Sequence, residues 1–163
     1  EVSTTDILKK LDCKTVVIDS MTEVQNMLLA EQQQLNGGKP LSIQHWQTVT
    51  TKMRKVFRML RDLPCNVIAI ALTKQIILEE SGQIFKMPSF SKAIREECAG
   101  YFSIVGYCFK RRATDENGEA IIEHKILFRG EDSILCKTSK SLNDIEDPDF
   151  NSIFSRCASQ PKN

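Results

Sequence analysis

Apolar and polar positions follow two different periods along this chain, and the switches between them set out its elements. Thr15-Val16-Val17-Ile18-Asp19-Ser20 is a short β-branched run that closes on an acid and a hydroxyl, which reads as a strand. From Met21 to Gln34 the apolar positions Met21, Val24, Met27, Leu28 and Leu35 recur at helical spacing, and Asn36-Gly37-Gly38-Lys39-Pro40 breaks that helix. A longer helix is predicted from Ser42 to Asp62. Its stripe runs Ile43, Trp46, Val49, Met53, Val56 with Phe57, and Leu60 with Leu63, and its other face carries Lys52, Arg54, Lys55, Arg58 and Arg61. Leu63-Pro64 ends it. Asn66-Val67-Ile68-Ala69-Ile70-Ala71-Leu72 is apolar almost throughout, as a strand buried on both faces of a parallel sheet would be. Strand, helices, strand makes a crossover unit.

The second half is patterned differently. Thr73 to Phe90 is polar and contains Glu79-Glu80-Ser81-Gly82, a hairpin-like turn in a stretch long enough to be functional. Ser91 suits the N-cap of a short helix through Cys98, with Gly100 near its end. Tyr101 to Arg111 and Ala120 to Arg129 are predicted to pair as a hairpin about Asp115-Glu116-Asn117-Gly118. Ser133 to Lys137 makes one more short strand, and Asn151 to Cys157 a last helix. There is no internal repeat.

Charge and composition narrow the function classes. Twenty-two basic and 21 acidic residues leave a net charge of +1, so any contact with DNA must come from local patches. No apolar run approaches the ~18 residues that span a bilayer, and nothing resembles a signal peptide. A membrane role is therefore not expected. The six cysteines at 13, 65, 98, 108, 136 and 157 form no CxxC unit, and the only histidines are His45 and His124. Zinc ligands come in tight pairs. Reduced, structural cysteines and a cytoplasmic location are expected instead.

The chemistry centres on the first strand. A parallel strand that ends on Asp delivers a carboxylate to the sheet edge outside which ligands sit. In P-loop NTPases such an Asp holds the magnesium that bridges the nucleotide phosphates. Asp19 reads as this Walker-B acid, with a helix cap as its alternative. The matching loop GxxxxGK[ST] is absent from all 163 residues. Gly37-Gly38-Lys39 lacks the first glycine of that motif and has no strand running into it, so it reads as a turn between helices. Residue 1 is Glu, and only 14 residues precede Thr15. The expectation is a segment whose phosphate loop lies upstream, and which alone binds nucleotide poorly or not at all.

In their order, these elements resemble the C-terminal two-thirds of a RecA-type ATPase core. The resemblance is greatest to the phage-encoded RecA-like recombination ATPases that promote single-strand annealing. It rests on four stretches within about residues 12 to 154: Thr15–Ser20, the Leu60-Arg61-Asp62-Leu63-Pro64-Cys65-Asn66-Val67 join, Thr73-Lys74-Gln75, and Lys137-Thr138-Ser139-Lys140. It implies an α/β fold with a mostly parallel central sheet flanked by helices and a C-terminal antiparallel hairpin, in a single domain without the first strand and phosphate loop. It also implies ATP and Mg2+ as cofactors, hydrolysis at subunit interfaces, self-association as a ring or filament, and single-stranded DNA as partner, in a bacterial cell or phage-infected host.

Carried onto this sequence, the resemblance gives Asp19 a magnesium held through water, with Ser20 beside it. Thr73 to Gln75 falls where a polar sensor of the γ-phosphate stands. Lys137 and Lys140 match basic residues that reach a neighbouring subunit's site, where a cation stabilises developing charge. Relatives often have Arg in that late motif. The segment from Lys74 to Phe90 and the turn at Asn36–Pro40 become DNA-facing, with Lys39, Lys74, Lys86 and Lys92 as the contacting cations. Glu23, one turn into the helix after Asp19, is a candidate for polarising water or a plain dipole-matched acid. Phe85 and Phe90, flanked by Lys86 and Lys92, suit either base stacking or loop anchoring. The main rival is a degenerate RecA-like module that binds DNA or protein without hydrolysis. A small α/β enzyme using Asp19 and Ser20 is a third possibility, with no nearby His or Cys to support it.

Overall fold

A computed structural model of the chain describes residues 13–77, 82–130, 133–138 and 141–158. These fall into two compact units. The described residues of the first are 13–74 and 88–101, and all others belong to the second.

The first unit opens with β1 (Thr15–Asp19), followed by α1 (Met21–Leu35), α2 (Ile43–Arg61) and β2 (Asn66–Ile70). The two strands pair in parallel, from Thr15 opposite Asn66 to Asp19 opposite Ile70. This is the predicted crossover unit. The later segment of the unit adds α3 (Lys92–Glu97) and a 3-10 turn at Cys98–Tyr101.

Helix α2 carries the core. Val49, Met53, Phe57 and Leu60 recur every three or four residues and are all buried, as a single apolar stripe requires. Phe57 stacks on Tyr101 with ring centroids 5.3 Å apart and meets the edge of Phe90 at 5.9 Å. Ile94 and Cys98 are buried on α3 and the turn that follows it. The helix starts at Ser42, whose backbone N–H donates to His45 Nδ1 at 3.0 Å, so His45 serves the helix start. Its basic face is largely ion-paired: Lys52 to Glu31 at 2.6 Å, Arg54 to Glu97 at 2.7 Å and Arg61 to Asp62 at 2.8 Å.

The inner face of α1 differs from its predicted stripe. Met21, Thr22, Gln25 and Gln32 are buried, whereas Met27 is 65% and Leu35 74% exposed. The reason is hydrogen bonding. Thr22 Oγ1 accepts the N–H of Leu72 at 3.0 Å, and Gln25 Oε1 accepts the N–H of Ser91 at 2.9 Å. Both donors lie just outside regular elements, where no strand partner supplies an acceptor.

In the second unit β5 (Tyr107–Thr114) and β6 (Ala120–Leu127) form the predicted antiparallel hairpin, and the short β7 (Ile145–Glu146) extends it. Asp115 closes the turn: its carboxylate accepts the N–H groups of Asn117 at 2.9 Å and Glu119 at 2.8 Å. Gly118 supplies the positive φ of +83°. Ile126, Phe128, Leu142 and Ile153 make the core, with Ile104 and Cys157 packed on it. Ile153 comes from the last helix, α4 (Phe150–Ala158).

Three expectations about elements are corrected. The strand predicted from Tyr101 begins at Tyr107, because Cys98–Tyr101 is helical and Gly106 lies so close to Ile126 and Phe128 that a Cβ there would collide with them. Residues 133–137 form only isolated bridges, Ile134 with Lys86 and Lys137 with Val105. The polar stretch after Leu72 contains β3 (Thr73–Ile77) and β4 (Ile84–Pro88), paired as a two-stranded sheet. Residues 79–81 of the proposed turn lie outside the described residues. The fold is mixed α/β with parallel and antiparallel sheets. The β1–β2 pair is parallel, and the largest sheet among the described residues, β5–β6–β7, is antiparallel.

Candidate functional site

The candidate centre is the C-terminal end of β1. Parallel pairing with β2 brings Asp19 to the strand end, and α1 begins two residues later. The Asp19–Ser20 peptide is cis. Ser20, not Asp19, is the N-cap: its Oγ accepts the Glu23 N–H at 3.3 Å, and its carbonyl accepts the N–H groups of Glu23 at 3.1 Å and Val24 at 3.2 Å. Asp19 is exposed, and its carboxylate has no hydrogen bond or ion pair with any described residue. The two residues that sequence could not separate thus have separate roles. Ser20 caps the helix, and the Asp19 carboxylate has no partner among the described residues.

That arrangement fits a magnesium ion that arrives with phosphate. No group of three or more His, Cys, Asp or Glu side chains suited to a metal occurs among the described residues. Mg2+ keeps several waters and is bound through one or two carboxylates plus substrate phosphates, so a single unengaged carboxylate at a strand end is a fitting donor set.

Glu23 is exposed in the first turn of α1, and its Oε2 accepts from Asn26 Nδ2 at 3.2 Å. A negative charge there complements the helix dipole. Thr73 and Lys74 are exposed at the start of β3. Leu72 leads into them, with its N–H on Thr22 and its carbonyl accepting from Ser89 at 2.7 Å, so the segment after β2 is tied to the start of α1. Thr22 and Gln25 were missed by sequence reasoning. Their partners, Leu72 and Ser91, are 50 and 66 residues away, so no local signal marks them.

The remaining candidates are dispersed. Lys39 is exposed beyond a turn in which Gly37 and Gly38 take positive φ and Asn36 Nδ2 donates to the carbonyls of Lys39 and Pro40. Lys92 is exposed at the first position of α3. Phe90 is buried against Phe57, which makes it a core anchor. In the second unit, Gln75 is exposed on β3. Lys86 is half-buried, its ammonium 5.1 Å from the centre of the Tyr107 ring, a cation–π contact. Lys137 Nζ donates to the Phe102 carbonyl at 2.7 Å. Lys140 lies outside the described residues.

No helix among the described residues is long and apolar enough to cross a membrane. A family model described as an AAA domain matches residues 5–153. No curated protein and no solved structure matches the chain.

Proposed function

The chain belongs to the AAA domain family, whose P-loop NTPase-like core carries a nucleotide-binding, ATPase-like function, and from that premise we propose a RecA-like ATPase part that acts on single-stranded DNA in recombination or replication. The observation that carries the nucleotide half is Asp19, an unengaged carboxylate at the C-terminal end of a parallel strand whose neighbour Ser20 already caps the helix. In this reading Asp19 would hold the magnesium through water. Bound magnesium would supply neutralisation of the phosphate charge. Ser20 holds the strand-to-helix junction and Thr22 holds Leu72, at the start of the segment that carries Thr73 and Lys74. Lys39, Lys74, Lys86 and Lys92 are the DNA contacts on this reading, and self-association completes the ATPase site.

The test is ATP turnover by the full-length gene product, with and without single-stranded DNA, in the wild type and Asp19→Asn. Loss of turnover by about a hundredfold or more with an unchanged melting temperature is expected. Wild-type rates in the variant would remove the Walker-B assignment. A second reading is a module that binds DNA or protein without hydrolysis. It predicts no turnover in either protein.

A further inference from the structure

The two faces of the β5–β6 hairpin differ in charge. Strand register puts Tyr107, Phe109, Arg111 and Ala113 on one face with Leu127, Lys125, Glu123 and Ile121. That face is internally balanced. Arg111 pairs with Glu123 at 2.7 Å, and Lys125 bridges Glu123 at 3.6 Å and Asp147 at 2.6 Å. Arg111 holds the Glu123 carboxyl below the usual carboxylate range, as a satisfied pair should.

The other face carries Cys108, Lys110, Arg112 and Thr114 opposite Ile126, His124, Ile122 and Ala120. Its near end is covered, since Ile126 is buried in the core of the unit. Its far half is not. Lys110, Arg112 and His124 are all exposed, and Ile122 beside them is 66% exposed. None of the three basic side chains has a hydrogen bond or ion pair with a described residue, and the strands place no carboxylate on this face. Of the acids nearest in sequence, Glu123 is on the opposite face with Arg111, and Asp115, Glu116 and Glu119 belong to the turn, where the Asp115 carboxylate is occupied by backbone N–H groups.

We propose that this face, Lys110, Arg112 and His124 around Ile122, is a docking surface for the backbone of single-stranded nucleic acid. Lys110 and Arg112 are two residues apart on an antiparallel strand, about 6.8 Å. One phosphate-to-phosphate step of a single-stranded backbone, through the intervening sugar, covers about the same distance. Unpaired Lys and Arg heads position phosphates, and Ile122 offers apolar surface to the sugars and base faces that a single strand leaves open. An acidic peptide would use the cations without needing that aliphatic surface. The surface is separate from the lysines assigned above, and it rests on the reading of this chain as a DNA-acting protein.

Binding of the 163-residue chain to a fluorescent oligothymidylate, followed by anisotropy over a range of salt, tests it. In Lys110→Gln/Arg112→Gln the slope of log affinity against log salt is expected to fall by about 1.4, two contacts at about 0.7 each. Two controls isolate the face. Arg111→Gln/Glu123→Gln alters the opposite face without changing net charge, and Lys55→Gln/Arg58→Gln removes the same charge from α2; both are expected to keep the wild-type slope. An unchanged slope in the hairpin variant overturns the proposal. So does an equal fall in the Lys55/Arg58 control, which would make the effect one of net charge. Displacement by polyglutamate as effective as by unlabelled oligonucleotide overturns the choice of partner. Absence of wild-type binding overturns both this surface and the DNA half of the proposed function, while the Asp19→Asn turnover experiment judges the nucleotide half by itself.

Discussion

Replacing Thr22 by Val tests whether the segment after β2 is held by a helix side chain. The two residues have nearly the same shape and similar helix propensity, so the change isolates one hydroxyl. In the wild type Thr22 is 6% exposed and its Oγ1 accepts the Leu72 N–H at 3.0 Å. An intramolecular hydrogen bond of this kind contributes about 0.5–1.5 kcal/mol net, and a buried donor left unpaired costs about 1–3 kcal/mol. The Leu72 side chain is 63% exposed, so water reaches its vicinity and replaces part of the lost bond. The expected destabilisation is therefore near the low end, about 1 kcal/mol. In a domain of this size that lowers the melting temperature by about 2–4 °C. The sharper assay is native-state hydrogen exchange. Leu72 amide protection should drop about fivefold beyond any global change, because 1 kcal/mol of local opening is worth about that factor. Thr22→Ser keeps the acceptor and should preserve Leu72 protection even though it loses a buried methyl. Equal exchange at Leu72 in the Val and Ser variants would refute the argument.

Two further outcomes follow from the core of the first unit. Phe57→Ala removes the ring that stacks on Tyr101 and meets Phe90, with a residual exposure of 1% in the wild type; urea denaturation should show a loss of about 3–5 kcal/mol, and a loss below about 1 kcal/mol would contradict the packing described. Burial pushes the Cys98 thiol up from 9.0 to about 11, so the folded state holds its proton more tightly than the unfolded chain does. The associated stability is fully present below about pH 9 and declines as pH rises toward about 11. Cys98→Ala should flatten that decline, and at pH 8 the native Cys98 should alkylate about a hundredfold more slowly than a thiol of ordinary pKa; alkylation at the ordinary rate would show that the thiol is not desolvated.

Period and punctuation were enough to place most elements. Val49, Met53, Phe57 and Leu60 of the predicted stripe are buried on their helix, although Ile43 and Trp46 at its start are 78% and 42% exposed, and Asp115-Glu116-Asn117-Gly118 matches its turn, because each depends on neighbours within one turn of chain. The inner face of α1 was not legible in the same way. Thr22 and Gln25 are buried because Leu72 and Ser91, 50 and 66 residues away, need acceptors. No local pattern encodes that. The strand ending at Ile70 shows the same limit: the run stays apolar through Leu72, but pairing with β1 ends where Asp19 does. At the candidate site, sequence found Asp19 and Ser20 as a pair, and only the helix-start geometry divided the cap from the free carboxylate.

The same distinction governs the positive charges. Five basic residues on α2 make the densest cluster in the sequence, yet Lys52, Arg54 and Arg61 each meet a carboxylate within 2.8 Å. Density along a helix therefore says little about a polyanion partner, because exposed pairs of this kind are worth only about 0–1 kcal/mol and arise wherever acids lie near. What matters is charge left without a partner among the described residues, on a face that holds exposed apolar surface and to which the strands bring no carboxylate. Lys110 and Arg112 meet that condition because β-strand alternation sends them to one side while Arg111, between them, turns to Glu123 on the other. Three consecutive basic residues are thus split by the pleat into one structural cation and two available ones. A helix at that position would have fanned all three round its circumference. The antiparallel hairpin keeps the two available charges in register with His124 and Ile122, which is why the less conspicuous basic run is the better candidate for a phosphate backbone.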